Sequence, residues 1–320
     1  MRRPSPRHLR GVGQHPRHVA PKRMRHPLLL VFGFVTASLL VAAGLYLPQA
    51  QALRQGQAVW SVKCGFSHDA PDDPIVHSGQ PGASHLHSFI GNTTTDAAST
   101  TANLALGGST CGKGMDQVDR SAYWVPALLR NGRPVSGSGQ RADVYYFVGD
   151  KPIPVQPLPL GLRMIAGDGS ATSPQSSKLV HYNCNQTKGG AEVGANSVTI
   201  PSCPAGTYIT AKIEFPSCWN GRDLDSPDHR SHMAYPTHGT CPADHPVRLP
   251  SVGYRIRWLG ASGPASQYSL SSGSQFSMHA DFWNVWQPGI MRWLVDHCLN
   301  AVRNCRDIAR DQISAPNGAF

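Results

Sequence analysis

Eight cysteines, Cys64, Cys111, Cys184, Cys203, Cys218, Cys241, Cys298 and Cys305, are scattered through the chain, and no two have the short spacing of a zinc knuckle. An even set spread in this way reads as disulfides formed in an oxidising compartment. Such a chain closes its fold covalently and tolerates long loops. Eight cysteines allow 105 pairings. Cys298 with Cys305 and Cys184 with Cys203 are close enough in sequence to be the easy pairs, and the others stay open.

The N-terminus agrees with export. Eight Lys or Arg, from Arg2 to Arg25, precede an uncharged apolar run at 28–47, and Ala50-Gln51-Ala52 has the small-x-small pattern of a signal-peptidase site. Residues 1–52 are expected to be a signal peptide cleaved after Ala52. The alternative is a retained anchor at 28–47 with the remainder outside, because the run is about as long as a membrane span. The formal net charge of +10 falls to +2 once the eight leader cations are set apart. The basic balance is therefore mostly targeting, and no nucleic-acid partner is expected. The membrane enters only through an uncleaved leader.

The remainder divides into a short stalk at 53–60, one extracellular domain at 61–312 and a flexible tail at 313–320, with no linker or repeat inside the domain. Glycine and proline are frequent, and glutamate occurs only at Glu192 and Glu214. Long helical periodicity is scarce. Strands are expected at 143–148, 208–215, 254–258 and 275–283, where β-branched and aromatic residues alternate with polar ones between turn residues. A helix is expected at 288–303, opened by Pro288. The pattern predicts a mainly β fold, a disulfide-stapled sandwich or jelly-roll-like single domain with long loops and a C-terminal helix. A monomer is expected.

Three clusters carry the chemistry. In SHLHSFIGN, His85 and His87 alternate and can share one face of a strand, as two ligands for a zinc or copper ion or as an acid and base. The segment CWNGRDLDSPDHRSHMAYP gathers Asp228 and His232 in a long loop, without the register of a calcium EF-hand. In SMHADFWN, His279 and Asp281 alternate, so that the carboxylate can orient the imidazole. No nucleophile elbow, HExxH, P-loop or dinucleotide fingerprint is present, and the HxH lacks the glutamate a cupin requires.

The strings DPIV, SHLH with GN, SAYW, GLRMIAGD, FPSCWNG, LDSPDHRSHMAYP, HPVRLP and HADFWN together resemble the secreted family catalogued as domain of unknown function nineteen ninety-six, known from actinobacteria and filamentous fungi. The likeness runs from about Val59 to Asn300. It implies secretion and a single domain, and it brings no established reaction. Carried onto this chain, its motifs point to His85, His87, His232 and His279, with Asp228 and Asp281, and to Tyr123, Trp124, Arg163 and Asp168.

These residues lead to two expectations. One is a carbohydrate-active hydrolase or lyase in which His85, His87, Asp228, His232, His279 and Asp281 are catalytic, while Tyr123, Trp124, Arg163, Asp168, Trp219 and Trp283 hold an extracellular or cell-wall polysaccharide. The other is a non-catalytic module binding glycan or a divalent metal, zinc or copper, through His85, His87, His232 and His279.

Overall fold

The computed structural model describes residues 58–316 except 136, 138 and 150–152. The leader, its apolar run at 28–47, most of the expected stalk and the end of the tail lie outside the described residues. Among the described residues, no helix is long and apolar enough to cross a membrane.

In chain order the strands are β1 (Val59–Ala70), β2 (His87–Gly91), β3 (Ala122–Pro126), β4 (Leu128–Arg130), β5 (Arg133–Pro134), β6 (Gln140–Phe147), β7 (Arg163–Gly167), β8 (Val180–Gln186), β9 (Glu192–Ser197), β10 (Thr207–Glu214), β11 (Cys218–Trp219), β12 (Met233–Ala234), β13 (Val247–Arg248), β14 (Ser251–Trp258), β15 (Tyr268–Leu270), β16 (His279–Trp283) and β17 (Asn304–Cys305). Two short α-helices, α1 (Thr101–Leu106) and α2 (Pro288–Leu294), accompany them. The main sheet runs β7-β16-β3-β2-β1-β6-β14-β10-β8-β9, with β17 beside β1, and β11 to β13 and β4, β5 and β15 form two small sheets.

The long strand β1 makes the sheet a sandwich. Its first half pairs with β6 from Val59↔Phe147 to Gly65↔Arg141, and its second half pairs with β2 up to Ala70↔His87. A bulge between Phe66 and His68 interrupts the second half just after it begins. Bulges bend and twist a strand, so β1 belongs to both layers. One layer is β9-β8-β10-β14-β6-β1; the other is β1-β2-β3-β16-β7.

Alternation along the strands decides what lies between the layers. Ile209, Ala211 and Ile213 of β10 are buried, as their spacing in the sequence predicts, and Tyr123, Tyr254, Phe215 and Phe282 meet across the gap. Tyr254 also donates to the carbonyl of Asp281, 2.9 Å away, which ties the layers directly. Trp60, Trp124, Trp258, Trp283 and Trp286 are all fully buried. Each contributes about 5 kcal/mol of apolar transfer at ~25 cal/mol/Å².

Four disulfides close the chain, and no described cysteine is free. Cys184–Cys203 and Cys298–Cys305 are the two easy pairs; Cys64–Cys111 and Cys218–Cys241 complete the set. They fit an oxidising compartment.

Three boundaries differ from the sequence-based expectation. Residues 58–60, read as the end of a stalk, begin the sheet and are buried, with Val59 and Trp60 paired on both sides by β6 and β17. Ile313 and Ala315, read as tail, are buried as well. The expected helix at 288–303 is α-helical only over Pro288–Leu294 and widens into a π turn over Val295–Leu299. The chain must then reverse to lay Asn304 and Cys305 beside β1, and the Cys298–Cys305 bridge holds that reversal.

Candidate metal centre

The outer face of the β1-β2-β3-β16-β7 layer carries a row of three residues. His87 of β2 is opposite Pro126 of β3, and the register Asp281↔Trp124 sets His279 of β16 level with Pro126 on its other side. Strands ~4.8 Å apart separate the two histidine backbones by about 10 Å. Between them stands the compact proline ring, and the two imidazoles lean over it until His87 Nε2 is 3.2 Å from His279 Nε2. His85, just before β2, adds a third ring, 4.2 Å from His87 and 5.0 Å from His279 between centroids. One nitrogen from each lies within 4.8 Å of the others.

Hydrogen bonds fix which nitrogens these are. His87 Nδ1 is 2.8 Å from the carbonyl of Asp72, and His279 Nδ1 is 2.9 Å from the carbonyl of Ser277. A carbonyl only accepts, so both Nδ1 atoms carry the proton and both Nε2 atoms present lone pairs. His85 Nε2 is buried without a partner. Burial pulls His279 down to about 4, drives His87 well below the usual imidazole range and lowers His85, so all three rings are neutral at pH 7. Lone pairs aimed at one spot repel unless a cation stands between them. A tetrahedral zinc at ~2.0–2.1 Å from each nitrogen would hold them about 3.3 Å apart.

Asp281 brings negative charge to the same place. Its carboxylate is 3.8 Å from His279 Nε2, is 1% exposed, and has no hydrogen bond to either oxygen. Burial pushes its pKa well above the usual carboxylate range, and the Asp73 charge adds to this. An unpartnered buried carboxylate is costly, and a nearby cation offsets the cost. Arg230, exposed on the loop after β11, is felt at His279, Asp281 and Asp168.

Glycines let the backbone close on the rings. A Cβ on Gly169 would meet the His279 ring at 3.1 Å, and one on Gly167, at φ +78°, would strike the Met278 carbonyl at 2.6 Å. The GLRMIAGD string thus holds one wall of the centre. Asp168, between them, is exposed and accepts from the Ser170 amide and hydroxyl, which lower its pKa below the usual value.

His232 does not join the trio. It is fully buried, with Nε2 2.7 Å from the Arg163 carbonyl and Nδ1 2.9 Å from Ser226 Oγ, so neither nitrogen is available to a metal. Arg163 pairs with Trp283, four residues along β16 from His279, or about 13 Å at ~3.3 Å per residue. Asp228 stands in the same loop, exposed, where Ser226, Arg230 and Ser231 donate to one of its oxygens and hold its pKa well below the usual range. Both residues shape the loop.

Three of the four aromatic residues expected to grip sugar are buried. Tyr123 donates to Asp119 in the core; Trp124 and Trp283 sit under the loops that cover the outer face, with Ile75, Phe89 and Leu104. Trp283 lends its face to Arg163, 3.9 Å away, and Arg163 binds Asp225 at 2.9 Å. Trp219 is half-buried and donates to the Asp223 carbonyl. None of the three core rings can stack on a polymer without unfolding its surroundings.

Asp73, His77 and Arg230 are additions that the sequence reading left aside. Asp73 opens the DPIV string, Arg230 lies inside DHRSH, and His77 follows DPIV closely enough for its charge to be felt at His85 and His87. A second close group, Cys64, Cys111 and Asp119, is not a metal site because its two sulfurs are bonded to each other.

A family model described as "Domain of unknown function (DUF1996)" matches residues 73–286, a span that contains the three histidines, Asp73 and Asp281. No curated protein and no solved structure matches the chain.

Proposed function

Since the chain belongs to this family of unknown function, we propose from the geometry alone that it is an extracellular metal-binding protein in which His85, His87 and His279 hold one zinc or copper ion beside Asp281. The observation that carries the reading is the pair of facing Nε2 atoms, each made a lone-pair donor by a carbonyl on its Nδ1. Three neutral nitrogens suit both zinc and copper. They also leave a coordination position open, which is the arrangement of reactive rather than purely structural sites.

A bound ion would supply Lewis acidity and a more acidic water. The chain's own contribution is orientation and proton handling. The Asp72 and Ser277 carbonyls fix the tautomers of His87 and His279. Asp281 can accept a proton released beside the ion, and the exposed Arg230, whose charge reaches His279 and Asp281, favours an anionic group on an incoming molecule. Hydrolysis or eliminative cleavage of an extracellular polysaccharide is the reaction class we assign to this centre.

Metal content decides it. Plasma mass spectrometry on protein secreted into medium containing zinc and copper should give about one equivalent, lost in His87→Ala and His279→Ala. Metal-free wild-type protein that also gains no thermal stability from either added ion would remove the centre. If metal is present, digestion of a panel of cell-wall polymers tests the catalytic step, with Asp281→Asn as the control.

A further inference from the structure

The outer face of the opposite layer carries a different concentration of charge. The registers align His181, Lys212, Arg255, Asp143 and Lys63 in one row across β8, β10, β14, β6 and β1. In the next row Arg257 stands directly opposite Arg141. Like charges in facing positions destabilise a sheet, and here Arg255 adds a third guanidinium. A single carboxylate, Asp143, answers them, accepting from Arg255 Nε at 2.9 Å and from Arg257.

Two hollows open on this face and share Arg255. The larger, of about 820 Å³, is bordered by Lys178, Lys212, Arg306 and Glu214, with Tyr145 and Phe147 at its side. Gly253, level with both Tyr145 and Glu214, forms its floor by lacking a side chain. The smaller, of about 470 Å³, is bordered by Arg141 and Arg257. Six Lys or Arg side chains border the two hollows; the carboxylates beside them are Glu214 on the rim, Asp143, which pairs with Arg255 and Arg257, and Glu192, which pairs with Lys212. This accumulation is local, because residues 53–320 together carry a formal charge of only +2.

We propose that this face is a docking track for an acidic polysaccharide, a chain of uronate sugars laid across Arg255. The planar guanidinium fork matches a carboxylate bidentately, and the partly exposed Tyr145 and Phe147 offer apolar faces to sugar rings. Two hollows joined at one arginine suit a polymer with repeated anionic groups better than a single small anion. The track is independent of the histidine centre, which occupies the other outer face of the sandwich.

Affinity electrophoresis of the secreted protein tests it, in gels containing polygalacturonate, its methyl ester or single-stranded DNA. Retardation is expected with polygalacturonate alone. The Arg141→Glu/Lys178→Glu variant should bind at least tenfold more weakly, with unchanged melting temperature and metal content. Both positions are exposed, and a carboxylate facing Arg257 would relieve the repulsion there, so folding is not threatened. Tyr145→Ala should weaken polygalacturonate binding severalfold with every cation in place. Equal retardation by the ester or by DNA, or a charge-reversed variant that binds as wild type, would overturn the proposal.

Discussion

His87 Nε2 lies 3.2 Å from His279 Nε2, and neither atom carries a proton to give the other, because both rings donate through Nδ1 to backbone carbonyls. Two acceptors at that separation are a repulsive contact in the metal-free protein. A cation converts the repulsion into two coordinate bonds. Zinc or copper at one hundred times its dissociation constant should therefore stabilise the fold by about 2.7 kcal/mol. For a domain of this size that raises the melting temperature by roughly 5–10 °C. Differential scanning calorimetry with and without the ion is the measurement, and His87→Ala should abolish the shift.

Asp281 supports the same centre from 3.8 Å. Asparagine keeps its shape and removes the charge. Outer partners of this kind typically change metal affinity by ~10–100-fold, so Asp281→Asn should weaken binding within that range in a competition titration against a chelator. Unchanged affinity would remove the carboxylate from the centre and leave the three imidazoles alone.

His232 gives the opposite expectation. Both of its nitrogens are hydrogen-bonded and its ring is fully buried, pinning the 218–236 loop to the Arg163 carbonyl. His232→Ala leaves two polar groups unpaired and opens a cavity, which should cost on the order of 3 kcal/mol. Metal content should stay at the wild-type value. Urea unfolding and mass spectrometry on one preparation separate the two roles, and loss of metal without loss of stability would contradict this assignment.

How much of this was legible follows from range. Alternation is local, so the buried stripe of β10 and the shared side of His85 and His87 could be read directly. The two disulfides that close short loops could be read for the same reason. Bringing His279 to His87 depends on β3 lying between β2 and β16, a pairing between distant segments that no local pattern encodes. His232 shared every sequence attribute of a ligand. Its separation from the trio arises only because β7 and β16 run side by side with Arg163 and His279 at opposite ends of the pair. The tryptophans misled for another reason: an aromatic residue in a strand fits a core as well as a sugar platform, and only the loops covering the outer face decide.

Asp119 provides a test remote from the histidines. Its carboxyl is fully buried beside the Cys64–Cys111 bridge, accepts from Tyr123 and from the Ser121 amide, and is pushed by burial from 3.8 up to about 6. The folded state therefore holds this proton more tightly than the unfolded chain. Below about pH 4 both states are protonated and the group is neutral in its effect; as pH rises through 6, the unfolded chain gains by ionising first. The sign is a loss of stability with rising pH, on the order of 3 kcal/mol when complete at 1.36 kcal/mol per pH unit. Asp119→Asn cannot ionise and lacks this slope. The difference in unfolding free energy, variant minus wild type, should accordingly climb between pH 4 and 7 and level off above it. A difference that stays flat would mean that Asp119 keeps an ordinary acidity in the folded protein.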